Sequence, residues 1–190
     1  IGAEELDLDE FKGMIQSINL AAGSFTMNVT DDGVSLGTMT IKVVREEDGR
    51  VILESIEQKS DEKEPRTETL TWHVEDGFLV MSEVKDRKSK VIFRLYKVGS
   101  KKGDTWKTPL GDPENGAEMT HLGTEEIEVP AGKYKDVVHV RISHSMKAGD
   151  EERKITLDFY LAPKVGMVKM EFGSDKEQSR FLLREFKEGK

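Results

Sequence analysis

Apolar and polar residues alternate with a period of two along most of the chain, from Ser24 to Phe186. Such alternation is typical of strands that bury one face and expose the other. Tight-turn dipeptides, among them Asp48-Gly49 and Asp76-Gly77, separate the alternating stretches at the spacing expected of hairpins. The pattern therefore predicts ten or eleven antiparallel strands in chain order, without the parallel connections of an α/β protein.

One stretch near the start has a helical period instead. Between Leu6 and Ala22 four apolar residues recur at spacings of three and four, namely Leu8, Phe11, Ile15 and Ile18. Asp7 or Asp9 can cap the beginning of this helix, and Gly23 can end it. We expect residues 1–23 to form a helical segment that packs on the domain, and residues 24–190 to form a single β domain.

A central segment, residues 99–116, breaks the alternation and reads GSKKGDTWKTPLGDPENG. Its glycines and prolines predict a long loop, and its Trp106 is expected to plug one end of the core. The fold class predicted from these patterns is all-β, with a single antiparallel, strongly curved sheet or partial barrel of about ten strands and one N-terminal helix.

Composition narrows the possible functions. The formal net charge is -8, and 35% of the 190 residues are charged, with basic and acidic residues interleaved. This balance argues against a nucleic-acid partner, which requires clustered Lys and Arg. The chain has no cysteine, which excludes disulfides and thiolate sites, and no run approaches the ~18 apolar residues of a membrane helix. We expect neither a cofactor nor a metal.

Catalytic chemistry finds little support in the sequence. It contains neither a G-x-S-x-G nucleophile elbow nor a G-x-x-x-x-G-K-[ST] phosphate loop. On the strand from Lys133 to Met146, regular alternation places His139 on the polar face and His144 on the apolar face, so the two cannot share a metal. One enzymatic alternative remains open, a hydrolase that uses Glu126, Glu128 or Asp158 together with His144.

A binding surface is the other class of function. A curved antiparallel sheet has a concave face that can hold an apolar ligand, or that the core can simply fill. Three side chains are candidates for such a surface: Trp106 in the central segment, Tyr134 at the start of a strand, and His144 near the end of the same strand.

Two motifs in the C-terminal half carry a resemblance to a known family. The first, VPAGKY, is a corner formed by Val129, Pro130, Ala131, Gly132 and Tyr134, and the second, YLAPKVGMVK, runs from Tyr160 to Lys169. Together with Trp106 in a Gly/Pro-rich loop, they resemble a family of bacterial exported proteins and lipoproteins of unknown function. Both motifs also have a structural explanation as turn devices, since Pro fixes φ and Gly accepts a left-handed backbone.

The resemblance implies an envelope-localised, antiparallel β-sheet domain, similar in outline to periplasmic lipoprotein-carrier half-barrels. It brings no catalytic residues. Because the sequence begins at Ile1, we expect a trimmed or processed piece. The resemblance implies an exported protein, in the periplasm or at the cell surface. The favoured function is non-enzymatic binding of an apolar or envelope-associated ligand, or of a protein partner; the alternatives are the hydrolase and a purely structural module.

Overall fold

The computed structural model describes residues 24–31, 34–110, 116–148, 150–174 and 178–187. These ranges contain twelve strands: β1 Ser24–Asp31, β2 Val34–Glu47, β3 Arg50–Lys59, β4 Arg66–Glu75, β5 Phe78–Lys85, β6 Lys88–Lys97, β7 Thr105–Thr108, β8 Ala117–Val129, β9 Gly132–Ala148, β10 Glu151–Ala162, β11 Gly166–Ser174 and β12 Gln178–Lys187. The predicted helix at Leu6–Ala22 lies outside the described residues. The all-β, antiparallel class is confirmed.

The strands form two meanders, one from β1 to β6 and the other from β7 to β12, and the pairing of β1 with β12 joins them into one sheet. Their order is β6-β5-β4-β3-β2-β1-β12-β11-β10-β9-β8-β7, and all described ladders are antiparallel. Consecutive strands pair because short turns connect them, and the pairing of β1 with β12 joins the first meander to the last. The two edge strands, β6 and β7, are consecutive in the chain but do not pair with each other.

The core lies between the two meanders. Phe93 of β6 contacts Phe159 of β10 with ring centroids 5.2 Å apart, and Tyr96 of β6 contacts His121 of β8 at 5.8 Å. The sheet is therefore curled so that the two edge strands approach each other, although no ladder closes them into a barrel. We call this boundary between β6 and β7 the seam.

The central segment 99–116 differs from the expected long loop. It contains β7, whose residues Trp106 and Thr108 are buried while Thr105 and Lys107 are exposed. Four residues between Gly/Pro-rich flanks are too few for alternation to stand out in the sequence, and pairing with β8 is what makes them a strand.

The VPAG corner is a turn with a tertiary contact. Val129 pairs with Gly132, whose φ of 140° favours glycine, and the backbone N–H of Ala131 donates to the carbonyl of Leu183 at 3.0 Å. The corner therefore ties the β8–β9 hairpin to β12, which lies three strands away in the sheet order. A bulge follows in β9, where Asp136 has a φ of 54°.

Candidate functional site: a charged cluster and a basic groove at the seam

The bulge in β9 changes the positions of the predicted site residues. Tyr134 pairs with Ile127, whereas Val137 pairs with Glu125, so β9 has one extra residue between them. Regular pairing with β10 holds only from Val138 onward. Tyr134 and His144 therefore lie on opposite faces of the sheet, whereas a regular strand would place both side chains on the same face. Its ring is half-buried against the core, and this burial raises the pKa of Tyr134.

His144 and Asp158 lie on opposite faces of the sheet. In the regular β9–β10 ladder, His144 pairs with Ile155 and shares a face with Ile142, whereas Asp158 pairs with Arg141. Glu126 and Glu128 are exposed, and Glu128 forms an ion pair with Lys133 at 3.5 Å. These residues therefore do not form the shared carboxylate–histidine cleft that a hydrolase would need.

Asp158 is instead the centre of a charged cluster on β8, β9 and β10. Its carboxylate lies 2.5 Å from Nε2 of His139 and accepts a hydrogen bond from Nε of Arg141 at 2.8 Å. Glu125 lies 3.0 Å from Nδ1 of His139. Carboxylates thus face both ring nitrogens of His139.

The cluster continues across the next two strands. The ring of Tyr160 stacks on His139 with centroids 4.2 Å apart, and Nζ of Lys169, on β11, lies 4.7 Å from the Tyr160 centroid. Glu171 accepts from the Tyr160 hydroxyl at 3.4 Å and forms ion pairs with Lys169 and with Arg180. Each cation of the cluster therefore has a carboxylate beside it.

The pKa shifts of the cluster reflect this pairing. Burial alone raises the pKa of Asp158, but the hydrogen bonds from His139 and Arg141 outweigh burial, and the net pKa is lowered. Burial, followed by the charge of Glu171, raises the pKa of Tyr160. The hydrogen bond to Asp158 raises the pKa of Arg141. All of these shifts stabilise the protonation states present at neutral pH.

Sequence reasoning placed His139 and Asp158 on polar faces but did not bring them together. That contact depends on the register between β9 and β10, which pairs Tyr160 with His139 and Asp158 with Arg141. A signal does exist, since oppositely charged residues occur at alternate positions of consecutive strands. This signal predicts specific contacts only when the register between the strands is known.

A buried histidine lies on the core side of β8. Nδ1 of His121 is 3.1 Å from the hydroxyl of Ser100, while Nε2 has no hydrogen-bond partner among the described residues. Burial lowers the pKa of His121 below its ordinary value, so this ring is neutral at pH 7. It contacts Tyr96 and serves packing.

Trp106 lies at the seam rather than on a free surface. Its side chain is 7% exposed, its Nε1–H donates to the carbonyl of Arg94 at 2.7 Å, and its ring contacts Phe78 at 6.3 Å. The hydroxyl of Thr108 accepts from the backbone N–H of Arg94 at 2.8 Å. Two side chains of β7 therefore satisfy the edge of β6 in place of a strand ladder.

Beside these two contacts the seam opens into a groove with a volume of about 580 Å³. The β6 side of this seam groove is formed by Ser89, Lys90, Val91 and Arg94. Its other side is formed by Lys107, Thr108, Pro109 and Gly116. Three of these residues are cations and none is acidic, in a chain whose net charge is -8.

Two groove cations have a glutamate opposite them in their ladders, Glu83 for Lys90 and Glu118 for Lys107, but the described residues form no ion pair with any groove cation. Lys90, Arg94 and Lys107 are exposed, and none of them forms an ion pair with a carboxylate of the described residues. The guanidinium of Arg94 lies 5.4 Å from the centroid of the Phe78 ring. This contact orients the arginine on an aromatic face but leaves its N–H donors available for an anion.

The described residues contain neither a cluster of metal ligands nor a membrane-spanning helix. No group of three or more His, Asp and Glu side chains there is arranged to hold a metal ion. No helix in the same ranges is long and apolar enough to cross a membrane.

The chain matches no protein-family model, and no curated protein sequence matches it. Two solved structures share its fold. One is a Bacteroides fragilis protein assigned as exported, with a YmcC-like fold, at a TM-score of 0.59 and 17% identity, over 90% of this chain and 97% of that one. The other is a Parabacteroides distasonis protein assigned as a lipoprotein, at a TM-score of 0.60 and 15% identity, over 89% and 96% of the two chains. The expected likeness to exported proteins and lipoproteins is confirmed at the level of fold.

Proposed function

We propose that this chain is an extracytoplasmic, non-enzymatic binding domain that holds an anionic group of its ligand in the seam groove. The observation that carries the proposal is the concentration of Lys90, Arg94 and Lys107, which form no ion pair among the described residues, in an acidic protein. Unpaired cations in a concave site attract anions and increase their rate of association. The fold neighbours assigned as exported or as lipoproteins support the extracytoplasmic location.

A non-enzymatic role is supported by the charged cluster. A catalytic carboxylate or histidine needs access to its substrate and a free position from which to exchange a proton. Asp158 is 5% exposed and already accepts from His139 and Arg141. The cluster thus has the properties of a structural network, and the groove is the better candidate for ligand contact.

The test uses two small amphiphiles that differ in charge. Octyl sulfate and octyl glucoside, both below their micelle concentrations, are titrated into isotope-labelled protein while the backbone amide resonances are followed. We expect saturable shifts of Ser89, Arg94 and Lys107 with octyl sulfate and no comparable shifts with octyl glucoside. Equal responses to the two compounds, or shifts spread over the whole surface, contradict an anion site in the groove.

A matched pair of variants tests the assignment to residues. Lys90→Glu with Lys107→Glu reverses two groove charges and should weaken octyl sulfate binding at least about tenfold, since one charge-assisted contact contributes about 1.5 kcal/mol or more. Lys135→Glu with Lys154→Glu makes the same change in net charge at exposed positions of β9 and β10. This control should bind like the wild type; an equal loss in both variants would indicate a net-charge effect only.

A further inference from the structure

The edge of β6 that faces the groove has a defined hydrogen-bonding direction. Asp86 and Arg87, with φ of 51° and 60°, form a two-residue turn, so Lys85 and Lys88 are a hydrogen-bonded pair. Pairing continues without a shift to the match of Ser82 with Val91. Hydrogen-bonded and non-hydrogen-bonded pairs alternate along an antiparallel ladder. The backbone N–H and C=O groups of Ser89 and Val91 therefore point away from β5, toward the open edge.

Arg94 shows how this edge is satisfied where β7 covers it. Its backbone N–H donates to Thr108, and its carbonyl accepts from Trp106. Strand β7 ends at Thr108, so it does not extend along β6 as far as Ser89 and Val91. Outside the ladders, no backbone hydrogen bond of the described residues reaches Ser89 or Val91. Among the described residues, the β6 edge at Ser89 and Val91 therefore has no strand beside it, and the groove lies along this part of the edge.

The lining of the groove indicates which anionic ligand fits. A lipid chain requires a largely apolar, enclosing pocket, whereas the apolar side chains here are Val91 and Pro109 beside three cations. An unpaired strand edge binds an extended peptide through its main chain, and nearby side chains select the sequence. Lys90, Arg94 and Lys107 select acidic residues.

We propose that the seam groove binds an extended acidic peptide segment, which adds as a strand to the β6 edge at Ser89 and Val91. This inference rests on the proposed function, because it assigns a chemical class to the anionic ligand of the same groove. The peptide carboxylates contact Lys90, Arg94 and Lys107, while its backbone supplies the partners that β7 supplies at Arg94.

The probe is an acetylated and amidated hexapeptide of alternating glutamate and threonine. Two analogues are N-methylated, one at every glutamate and the other at every threonine, which removes the N–H donors on one edge of the strand and leaves the charge unchanged. We expect the parent peptide to bind and to slow amide exchange at Ser89 and Val91, and one analogue to bind at least about tenfold more weakly than the other. Two analogues that bind as tightly as the parent would overturn strand addition, since charge alone would then account for binding.

Proline variants test the same edge from the side of the protein. Val91→Pro and Ser89→Pro each remove one outward N–H, and an edge strand accepts proline at such a position. Each should weaken peptide binding at least about tenfold, with folding checked by thermal unfolding, and one folded variant suffices for the test. Wild-type affinity in a folded proline variant overturns the inference.

The titrations also separate this inference from the proposed function. If octyl sulfate binds in the groove and the peptide does not, strand addition fails while the anion site stands. If neither binds, both fail. If phosphatidylglycerol vesicles bind and the peptide does not, the groove recognises a lipid head group and the peptide inference is overturned.

Discussion

The charged cluster and the seam groove use the same kinds of side chain in opposite ways. In the cluster, every cation has a carboxylate beside it, and Asp158 at its centre is 5% exposed. In the groove, three exposed cations form no ion pair with a carboxylate of the described residues. Charges that are removed from water must keep their partners, because a buried charge left unpaired is destabilising, whereas exposed charge outside an ion pair remains available for a ligand. The difference assigns structure to one region and recognition to the other.

Removing the centre of the cluster should have the largest effect on stability. Asp158→Ala leaves His139 and Arg141 without their shared carboxylate, and breaking a buried pair in this way costs about 3 kcal/mol. Urea unfolding measures this loss, and octyl sulfate binding in the groove should not change. Glu128→Ala, which breaks the exposed pair with Lys133, is the control and should cost no more than about 0.5 kcal/mol.

The stability that the cluster contributes should be lost at low pH. The folded-state pKa of Asp158 is lowered, so its contribution to stability is complete above the unfolded value near pH 4 and is lost as the pH falls through the folded value. The unfolding free energy of Asp158→Ala should therefore depend less on pH below about pH 4 than that of the wild type. Parallel curves for the two proteins would contradict the role given to the cluster.

The contact of Trp106 at the seam, beside the groove, should have an intermediate effect on stability. Trp106→Phe removes the donor to the carbonyl of Arg94 and leaves that buried acceptor unpaired, at a cost of about 1–2 kcal/mol. Trp72→Phe is a matched control, because the Trp72 side chain is 4% exposed but its Nε1 has no partner among the described residues. Both variants lose ring volume, and only Trp106→Phe loses a hydrogen bond. Equal losses would show that the bond does not hold the seam.

Much of the fold could be predicted because alternation and turn residues are local. The dipeptides Asp48-Gly49 and Asp76-Gly77 adopt the positive φ values that their turns require, and the antiparallel class followed from the spacing of such turns. Strand β7 was missed because four residues are too short to show a period. The orientation of Tyr134 relative to His144 depends on the bulge at Asp136, which regular alternation does not include.

The candidate site was less predictable, because it depends on contacts between distant strands. Trp106 was singled out, and the expectation that it plugs an end of the core is close to its position at the seam. Lys90 and Lys107 were not singled out, because the curl of the sheet brings them together from strands at opposite ends of the order. Net charge cannot reveal such a site, since a few unpaired cations disappear in the total of an acidic chain.

A pH titration contrasts the core with the groove. Burial lowers the pKa of His121, so below the unfolded value near 6.5 the unfolded chain takes up the proton first. Stability should fall as the pH decreases from 7 to 5, and less steeply in His121→Asn; His73, whose pKa is also lowered by burial, accounts for a remaining slope. Octyl sulfate affinity should stay constant over this range, because no histidine of the described residues lines the groove. An affinity that increases toward pH 5 would place a histidine in the site, since a protonated imidazole attracts an anion.

The smallest expected effect on stability belongs to the groove itself. Lys90→Glu with Lys107→Glu removes no ion pair of the described residues, so the free energy of unfolding should stay within about 0.5 kcal/mol of the wild type. Each new carboxylate lies opposite a glutamate of its ladder, Glu83 or Glu118, so a small loss of stability is expected, and this loss should disappear at high salt because exposed charges are screened. Urea unfolding at low and high ionic strength measures both terms. A loss comparable to that of Asp158→Ala would mean that the groove cations hold the fold, and the distinction between the two regions would no longer stand.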